Sequence, residues 1–374
     1  MLRSLYFTAL SSLLLVWSVP AQENSGPHGT ALTLGVGNNG ICFGNSPRHN
    51  GLRFNWSDAD IEEINGFNFT LWKPGEPISG TINGISFGVL SSGANNLNGL
   101  SIGGLAVIGR NAITGVSLGG LAVVSQGSLA GVNVGGLAVV GSSELSGWSG
   151  VSNIAGITVG GLAVVTQGSA SGINVGGLAV VGKGVLTGGN FGGMALVSQG
   201  SLNGVNVGGL AIVGKEEING LNFGGLAIVS EGTVAGISIG GLAVVGLGGI
   251  KGLTVGGIGI VSKNDIVGLN LTLGDLRSDK PDDDVSIRGI NVGGYRIRAK
   301  EISGINVSVL MTIAENTRGV TVGCYNRAEG TQRGISIGLF NHATQLLGLQ
   351  IGLVNWAENN PAYLRILPFV NLHF

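Results

Sequence analysis

The sequence predicts an all-β repeat fold, and three observations lead to this prediction. Gly accounts for 72 of the 374 residues, Pro for only 8, and charged residues for 10%. The middle of the chain consists of ten near-identical units of 16 residues, each with a Gly-Gly pair. Within a unit, apolar and polar residues alternate with a period of two, as in a half-buried strand. A helix is disfavoured because each Gly would cost about 1 kcal/mol in its interior.

The first 21 residues have the pattern of a secretory leader. Arg3 gives a positive start, residues 5–17 are mostly apolar, and Val19-Pro20-Ala21 supplies the small residues of a cleavage site. The mature chain is therefore expected to start at Gln22 and to be exported. No later stretch holds 18 uninterrupted apolar residues, so a transmembrane helix is not predicted.

The repeat array spans residues 98–263. Its consensus is Gly-[Val/Ile/Leu]-[Asn/Ser/Thr]-[Val/Ile/Phe]-Gly-Gly-Leu-Ala-[Val/Ile]-Val, followed by a short polar stretch. The spacing is interrupted once, by an insertion around residues 147–149. The first Gly of each pair is at Gly103, Gly119, Gly135, Gly160, Gly176, Gly192, Gly208, Gly224, Gly240 and Gly256.

The alternation changes phase at each Gly-Gly pair, which indicates a turn or a bulge in the middle of the unit. In a β-solenoid each unit would form one coil, and equivalent residues would stack at about 4.8 Å. We expect Val205, Val207, Leu210 and Ile212 to fill the core of such a coil. The Asn/Ser/Thr column, represented by Asn206, would then form an outer polar ladder.

A transmembrane β-barrel is the alternative, with each unit forming one strand of about ten residues. The residue that closes each unit alternates between Gly and Ser or Thr, as hairpins with two kinds of turn would require, although a two-coil unit explains it equally. The C-terminal segment, which ends in Phe374, also resembles a barrel assembly signal. Against the barrel, aromatic residues make up only 5% of the chain, and the strand segments hold almost no charge for a lumen. The solenoid is therefore the main prediction.

The flanks are less regular. Residues 22–97 contain three strand-like segments and are expected to form an N-terminal β region that covers the end of the array. Residues 264–333 are degenerate repeats with an acidic loop at 278–284, and residues 334–374 contain 14-residue repeats and a final strand. The chain is thus predicted to consist of a leader, a β cap, a regular array and two degenerate segments.

The segments Gly-Ile-Ser-Ile-Gly-Leu-Phe-Asn-His-Ala (334–343) and Gly-Leu-Gln-Ile-Gly-Leu-Val-Asn-Trp-Ala (348–357) resemble an uncharacterised family of bacterial surface-repeat proteins. Members of that family carry Gly-Leu-Gln-Ile-Gly-Leu-x-Asn-x-Ala repeats. The resemblance is specific over about 40 residues and looser in the Gly-Gly-Leu array. It implies a location in the bacterial envelope and supplies no catalytic residue.

Several motif matches lack the structural context that their chemistry needs. Residues 35–40 match a dinucleotide fingerprint and residues 177–183 match a phosphate-binding loop, but no helix is predicted after either segment. Gly-x-Ser-x-Gly at 115–119 lacks the strand-to-helix turn of a hydrolase elbow. The acidic clusters at 58–63 and 279–284 lack the spacing of a calcium loop, and the four His residues lack metal-ligand spacing. We therefore predict a non-enzymatic protein without a cofactor or a metal.

The polar column is the candidate ligand surface, for a glycan or a protein surface. A net charge of −1 gives no reason to expect nucleic acid. We expect an exported cell-envelope or surface protein with a structural or adhesive role; the alternative is an outer-membrane barrel that forms a pore or a surface protein. Outer-membrane association is compatible with both, and the sequence does not decide whether Cys42 and Cys324 pair. The column comprises Ser101, Ser117, Asn133, Thr158, Asn174, Asn190, Asn206, Asn222, Ser238 and Thr254.

Overall fold

A computed structural model describes residues 31–142, 153–278 and 285–374, and every regular element in these ranges is a β-strand. Because these ranges contain no helix, they contain none that is long and apolar enough to cross a membrane. The predicted leader at 1–21, the insertion at 147–149 and residues 279–284 of the acidic loop lie outside the described residues.

The strands fall into three groups along the chain. The first group contains β1 (Leu32–Val36), β2 (Asn39–Phe43), β3 (Arg48–Asn55), β4 (Glu63–Thr70), β5 (Thr81–Gly88) and β6 (Ser91–Gly103). The array contains β7 (Ala106–Gly119), β8 (Ala122–Ser125), β9 (Ser128–Gly135), β10 (Ala138–Gly141), β11 (Ile154–Gly160), β12 (Ala163–Thr166), β13 (Ala170–Gly176), β14 (Ala179–Gly182), β15 (Leu186–Gly192), β16 (Ala195–Ser198), β17 (Leu202–Gly208), β18 (Ala211–Gly214), β19 (Ile218–Gly224), β20 (Ala227–Ser230), β21 (Thr233–Gly240), β22 (Ala243–Gly246), β23 (Gly249–Gly256) and β24 (Gly259–Ser262). The last group contains β25 (Ile266–Thr272), β26 (Asp275–Ser278), β27 (Ser286–Gly293), β28 (Arg296–Ser308), β29 (Met311–Val322), β30 (Tyr325–Ile337), β31 (Phe340–Ala357) and β32 (Ile366–His373).

The chain winds into a β-solenoid of about 18 turns with repeats of about 16 residues. Each array coil has a longer strand, such as β17, and a shorter strand, such as β18. β17 pairs in parallel with β15 and β19, and β18 pairs in parallel with β16 and β20. The solenoid prediction is confirmed, and the barrel alternative is not adopted, since it requires antiparallel neighbours.

Three glycine columns determine the shape of the coil. Gly204 has φ +109°, and a Cβ added to it would lie 2.3 Å from the carbonyl oxygen of Gly188 in the preceding coil. A Cβ on Gly208 would lie 2.2 Å from the Ala211 oxygen of the same coil, and one on Gly209 would lie 1.9 Å from the Gly193 oxygen. Any larger residue would therefore separate the coils or open the turn.

The alternation between Gly and Ser or Thr at the end of each unit reflects a two-coil packing unit. The Ser198 hydroxyl donates to the carbonyl of Gly184, 2.8 Å away in the preceding coil, and accepts from the N–H of Gly200. In the next coil the equivalent residue is Gly214, where a Cβ would lie 3.0 Å from Ile218 Cγ1. One coil thus bonds to the preceding turn, while the next leaves room for a branched core residue.

The described part of the N-terminal β region continues the parallel stack of the solenoid. Strands β2 to β6 pair in parallel, each with the next, and the glycine column with positive φ extends back to Gly40. Only β1 is antiparallel, forming a hairpin with β2. At the other end β32 pairs antiparallel with β31. Both ends therefore carry an antiparallel strand where the parallel stack stops.

Candidate functional site

The polar column lies inside the solenoid, which corrects the expectation that it forms an outer ladder. Strand β17 shows why: Leu202, Asn206 and Gly208 point inward, whereas Val205 is 36% exposed. The exposed fraction does not exceed 3% for any member, namely Ser101, Ser117, Asn133, Thr158, Asn174, Asn190, Asn206, Asn222, Ser238 and Thr254.

Consecutive asparagines of this column bond from coil to coil. The Nδ2 of Asn174 donates to Oδ1 of Asn190 at 3.0 Å, and Asn190 donates to Asn206 at 3.0 Å. Asn206 donates to Asn222 at 2.9 Å, and Asn222 donates to the Ser238 hydroxyl at 3.2 Å. Such amide ladders stabilise stacked in-register strands, and the dry surroundings strengthen each bond.

The ladder is interrupted where serine and threonine replace asparagine. The side-chain oxygens of Ser117 and Thr158 have no hydrogen-bond partner, and neither amide atom of Asn133 between them has one. Elsewhere a hydroxyl of this column does bond to the neighbouring coil, as Ser238 does with Asn222, so the interruption is local to these coils. The buried column is therefore a structural element, since its atoms are closed off from any ligand.

The outer surface of the array is apolar, which also corrects the expected core. Of the four residues assigned to the core, only Ile212 is fully buried; Leu210 is 42% exposed, and Val205 and Val207 point outward. The inner columns are instead formed by the residues equivalent to Leu202 and Ile212. The corner column of exposed apolar residues comprises Leu105, Leu121, Leu137, Leu162, Leu178, Met194, Leu210, Leu226, Leu242 and Ile258.

The charged residues of the array lie mainly on one edge. The turns between the shorter and the longer strands carry Lys183, Lys215, Glu216 and Glu231, and Arg110 occupies the equivalent position within β7. Each coil is thus amphipathic: one polar edge is opposed by two apolar faces that meet at the corner column. The exposed apolar residues of successive coils thus lie next to one another along the array.

The N-terminal coils carry an outer asparagine ladder that the sequence interpretation missed. Asn50 donates to Asn39 at 2.9 Å, Asn65 to Asn50 at 2.9 Å, Asn83 to Asn65 at 2.8 Å and Asn98 to Asn83 at 2.8 Å. Each of these residues immediately precedes a glycine of positive φ, and this Asn-Gly repetition is the signal that could have located them.

Aromatic side chains also stack along the N-terminal coils. Phe69 and Phe87 stack with ring centroids 5.4 Å apart, and Phe43 and Phe54 at 5.6 Å. The Trp56 and Trp72 rings are nearly parallel, with centroids 6.0 Å apart, and remain 66% and 47% exposed. Exposed tryptophan rings combine an apolar body with a polar N–H, and therefore suit contact with an interface or a sugar ring.

Within the acidic cluster at 58–63, Asp58 belongs to a buried hydrogen-bond network. Asp58 is buried and accepts hydrogen bonds from Arg53 at 2.5 Å, from Asn55 at 2.9 Å and from Thr70 at 2.6 Å. The Arg53 guanidinium is itself fully buried and also donates to Asn68. This network fills the inside of the first coils and leaves the carboxylate committed to protein donors.

The remaining sequence motifs are placed in ordinary solenoid positions. Residues 35–40 span the end of β1, its hairpin turn and the start of β2, residues 177–183 contain β14, and Ser117 is buried inside the coil. Among the described residues, no group of three His, Cys, Asp or Glu is arranged to hold a metal. Cys42 is buried and Cys324 is exposed, and both are free thiols.

The last coils have an outer surface of a different kind. Arg318 and Arg333 are exposed and occupy directly paired positions on β29 and β30. The same two strands end at a shallow groove of about 650 Å³, which is lined by Val322, Ile337 and Leu339 of the coils and by Phe369 of β32. Neither the arginine pair nor the groove was indicated by the sequence repeat.

Comparisons with known proteins give no relative for this chain: no family model, no curated protein and no solved structure matches it. A function must therefore be inferred from the exposed surfaces of the chain itself.

Proposed function

We propose that this chain is a non-enzymatic, exported cell-envelope protein with a structural role, held against the outer membrane by its apolar outer faces. The supporting observation is the outer surface of the coil, where exposed Val, Ile, Leu and Phe side chains cover two faces although an apolar core and a polar column are already buried inside. The resemblance of residues 334–357 to bacterial surface repeats agrees with this location, as does the leader pattern of residues 1–21.

The backbone chemistry is compatible with an apolar environment. Each array strand bonds to the coils on both sides, so its N–H and C=O groups do not require water. Ten coils at about 4.8 Å give a surface on the order of 50 Å long. Transfer of the apolar faces from water to hydrocarbon is favourable by a free energy of about 25 cal/mol for each Å² that is buried.

Fractionation of the producing cell tests this proposal. We expect the exported chain to remain in the envelope fraction after a carbonate wash and to be released by detergent. A variant with Leu178→Ser, Leu210→Ser and Leu242→Ser should shift towards the soluble fraction. The matched control, Lys215→Ser with Glu216→Ser and Glu231→Ser, changes the polar edge and should stay bound. A wild-type chain that is soluble without detergent would contradict the proposal.

A second candidate is adhesion to a glycan, favoured by the outer asparagine ladder and the stacked Trp56–Trp72 pair of the first coils. Amides and exposed rings are the groups that hold sugars. Under this function, Trp56→Ala with Trp72→Ala should abolish binding to immobilised cell-surface polysaccharide and leave envelope fractionation unchanged. An unaltered polysaccharide interaction would exclude the tryptophan pair from that role.

A further inference from the structure

We infer that the last coils hold a binding site for an anionic membrane lipid, with its headgroup on Arg318 and Arg333 and its acyl chain in the adjoining groove. The inference rests on the proposed membrane association and specifies the lipid class. Its basis is a combination of unpaired positive charge and continuous apolar surface on the same strands.

The first observation concerns the arginine pair. Arg318 on β29 lies directly opposite Arg333 on β30, and the same column contains Ser303 and Arg288 in the two preceding coils. Like charges in directly opposed positions are destabilising. Within the described ranges, neither Arg318 nor Arg333 has an ion pair, although Arg327 pairs with Glu329 at 3.4 Å. The repulsion is therefore not offset inside the protein.

The second observation is that this charge is local. The column that contains Arg318 and Arg333 holds Asn98, Thr114 and Ala130 at the start of the array, and Asn203 and Asn219 in its middle. Only towards the C-terminal end is it occupied by several basic residues. An exposed arginine pair is suited to bidentate recognition of a phosphate group, since the guanidinium geometry matches phosphate oxygens.

The third observation is the apolar surface that leads away from the arginines. From Arg318, the outward side chains of β29 are Val320 and then Val322 at the groove wall. Four residues of a strand span about 13 Å, so a phosphate on the guanidinium leaves an attached chain within reach of the groove. Leu339, Leu353 and Phe369 line the groove and are 56%, 60% and 70% exposed.

The charge and the groove together favour a lipid over a free anion. A groove of about 650 Å³ lies within the size range of sites that hold small apolar ligands. An inorganic anion would satisfy the arginines but would leave the groove in water. An anionic amphiphile satisfies both parts, and a bilayer is its source for a protein that lies on the membrane.

Vesicle flotation of the full exported chain tests the inference. Zwitterionic phosphatidylcholine vesicles are compared with vesicles that contain phosphatidylglycerol. We expect tighter binding to the anionic vesicles, and a loss of this preference by on the order of 30-fold in Arg318→Gln/Arg333→Gln, since each basic residue contributes about fivefold. The matched control Arg110→Gln/Lys215→Gln removes the same charge elsewhere and should retain the preference.

The outcomes separate this inference from the proposed function. Equal binding of the wild type to both vesicle types contradicts the anionic site and leaves the proposed membrane association intact. Binding to anionic vesicles alone supports the site and contradicts association through the apolar faces. No binding to either vesicle type overturns both.

A groove variant and a phosphate competition test the acyl-chain part. Leu339→Ser with Leu353→Ser should weaken anionic vesicle binding several-fold while leaving the unfolding transition unchanged, because both side chains are more than half exposed. Millimolar inorganic phosphate should not displace the vesicles. Displacement by phosphate, or full binding by the groove variant, would show that the arginines bind a free anion and would overturn the lipid assignment.

Discussion

The central array buries one polar column, whereas the last coils bury two, on opposite sides of the coil. In the array the column runs through Asn190, Asn206 and Asn222 on the longer strands, opposite the apolar column of Ile212. In the last coils the position of Ile212 is taken by Asn326, Asn341 and Asn355, which bond in series at 2.9 and 2.8 Å. The column of Asn206 continues in the last coils as Thr321, Ser336 and Gln350, so the asparagines at the Ile212 position form a second polar column.

The apolar cores of the two regions differ accordingly. The array core consists mainly of Val, Ile and Leu, whereas the last coils bury Ala328, Ala343, Leu346 and Ala357. Small core residues bury little apolar area, so amide bonds must carry a larger share of the stability there. The same substitution should therefore have different effects in the two regions.

The largest effect is expected from a charge placed in the polar column. Asn206→Lys puts an ammonium group inside the coil, where it has no carboxylate partner, and should cost about 3 kcal/mol or more of unfolding free energy. Asn203→Lys, at the outer corner of the same strand, should change stability by about 0.5 kcal/mol or less. Denaturant unfolding of both variants measures the difference; equal stabilities would place Asn206 on the outside.

A smaller but still large effect is expected from the glycine with positive φ. Gly204→Ala should cost about 3 kcal/mol, because the new Cβ meets the Gly188 oxygen and the backbone conformation is strained. Gly37→Ala is the matched control, since Gly37 also has positive φ but has no atom within 4 Å of the added Cβ. Thermal unfolding should show a much smaller loss for Gly37→Ala; an equal loss would assign the effect to φ alone.

The comparison between the regions is tested by removing one amide from each ladder. Asn341 bonds to Asn326, Asn355, Ser336 and the Ile351 carbonyl, whereas Asn206 bonds mainly to Asn190 and Asn222. Since more partners are left unsatisfied, Asn341→Ala should cost about 3 kcal/mol and Asn206→Ala about 2 kcal/mol. The reverse order would show that amide bonding is not the main stabilising term of the last coils.

The smallest expected effect is an increase in the stability of the chain. Thr158→Asn should extend the ladder between Asn133 and Asn174 and stabilise the chain by about 1 kcal/mol, because it supplies partners for the unsatisfied atoms of Asn133. Thr158→Val replaces the unpartnered hydroxyl with a methyl group and should be nearly neutral. A thermal shift of the same sign and size in both variants would assign the gain to the loss of the hydroxyl.

The sequence predicted the stacked coils, but it did not show which side chains of each strand face inward. The 16-residue spacing and the Gly-Gly pair predicted the stacked strands. The residue that closes each unit alternates between Gly and Ser or Thr, as at Gly214 and Ser198, and this alternation was also visible in the sequence. Alternation with a period of two shows that Val205 and Asn206 face opposite ways, but not which one faces inward. Burial of the apolar side chain was the natural expectation, and it was wrong here because the amides satisfy one another between coils.

The outer surfaces were harder to predict for a related reason. Arg318 and Arg333 lie 15 residues apart, and their meeting depends on a coil length that differs from the array period. The groove beside them requires β32, whose antiparallel pairing with β31 has no counterpart in the repeat. Local pattern does not determine such contacts, since they arise where the repeat loses its regularity.

Thiol accessibility in the native chain tests the central claim most directly. In a Cys324→Ser background, which leaves only the buried Cys42, the variants Val205→Cys and Asn206→Cys are reacted with a water-soluble thiol reagent in the absence of lipid. We expect Cys at 205 to react at a rate near that of an exposed thiol and Cys at 206 to react only after unfolding. Rapid reaction at 206 with protection at 205 would contradict the account, because it would place the polar column outside and the apolar column in the core.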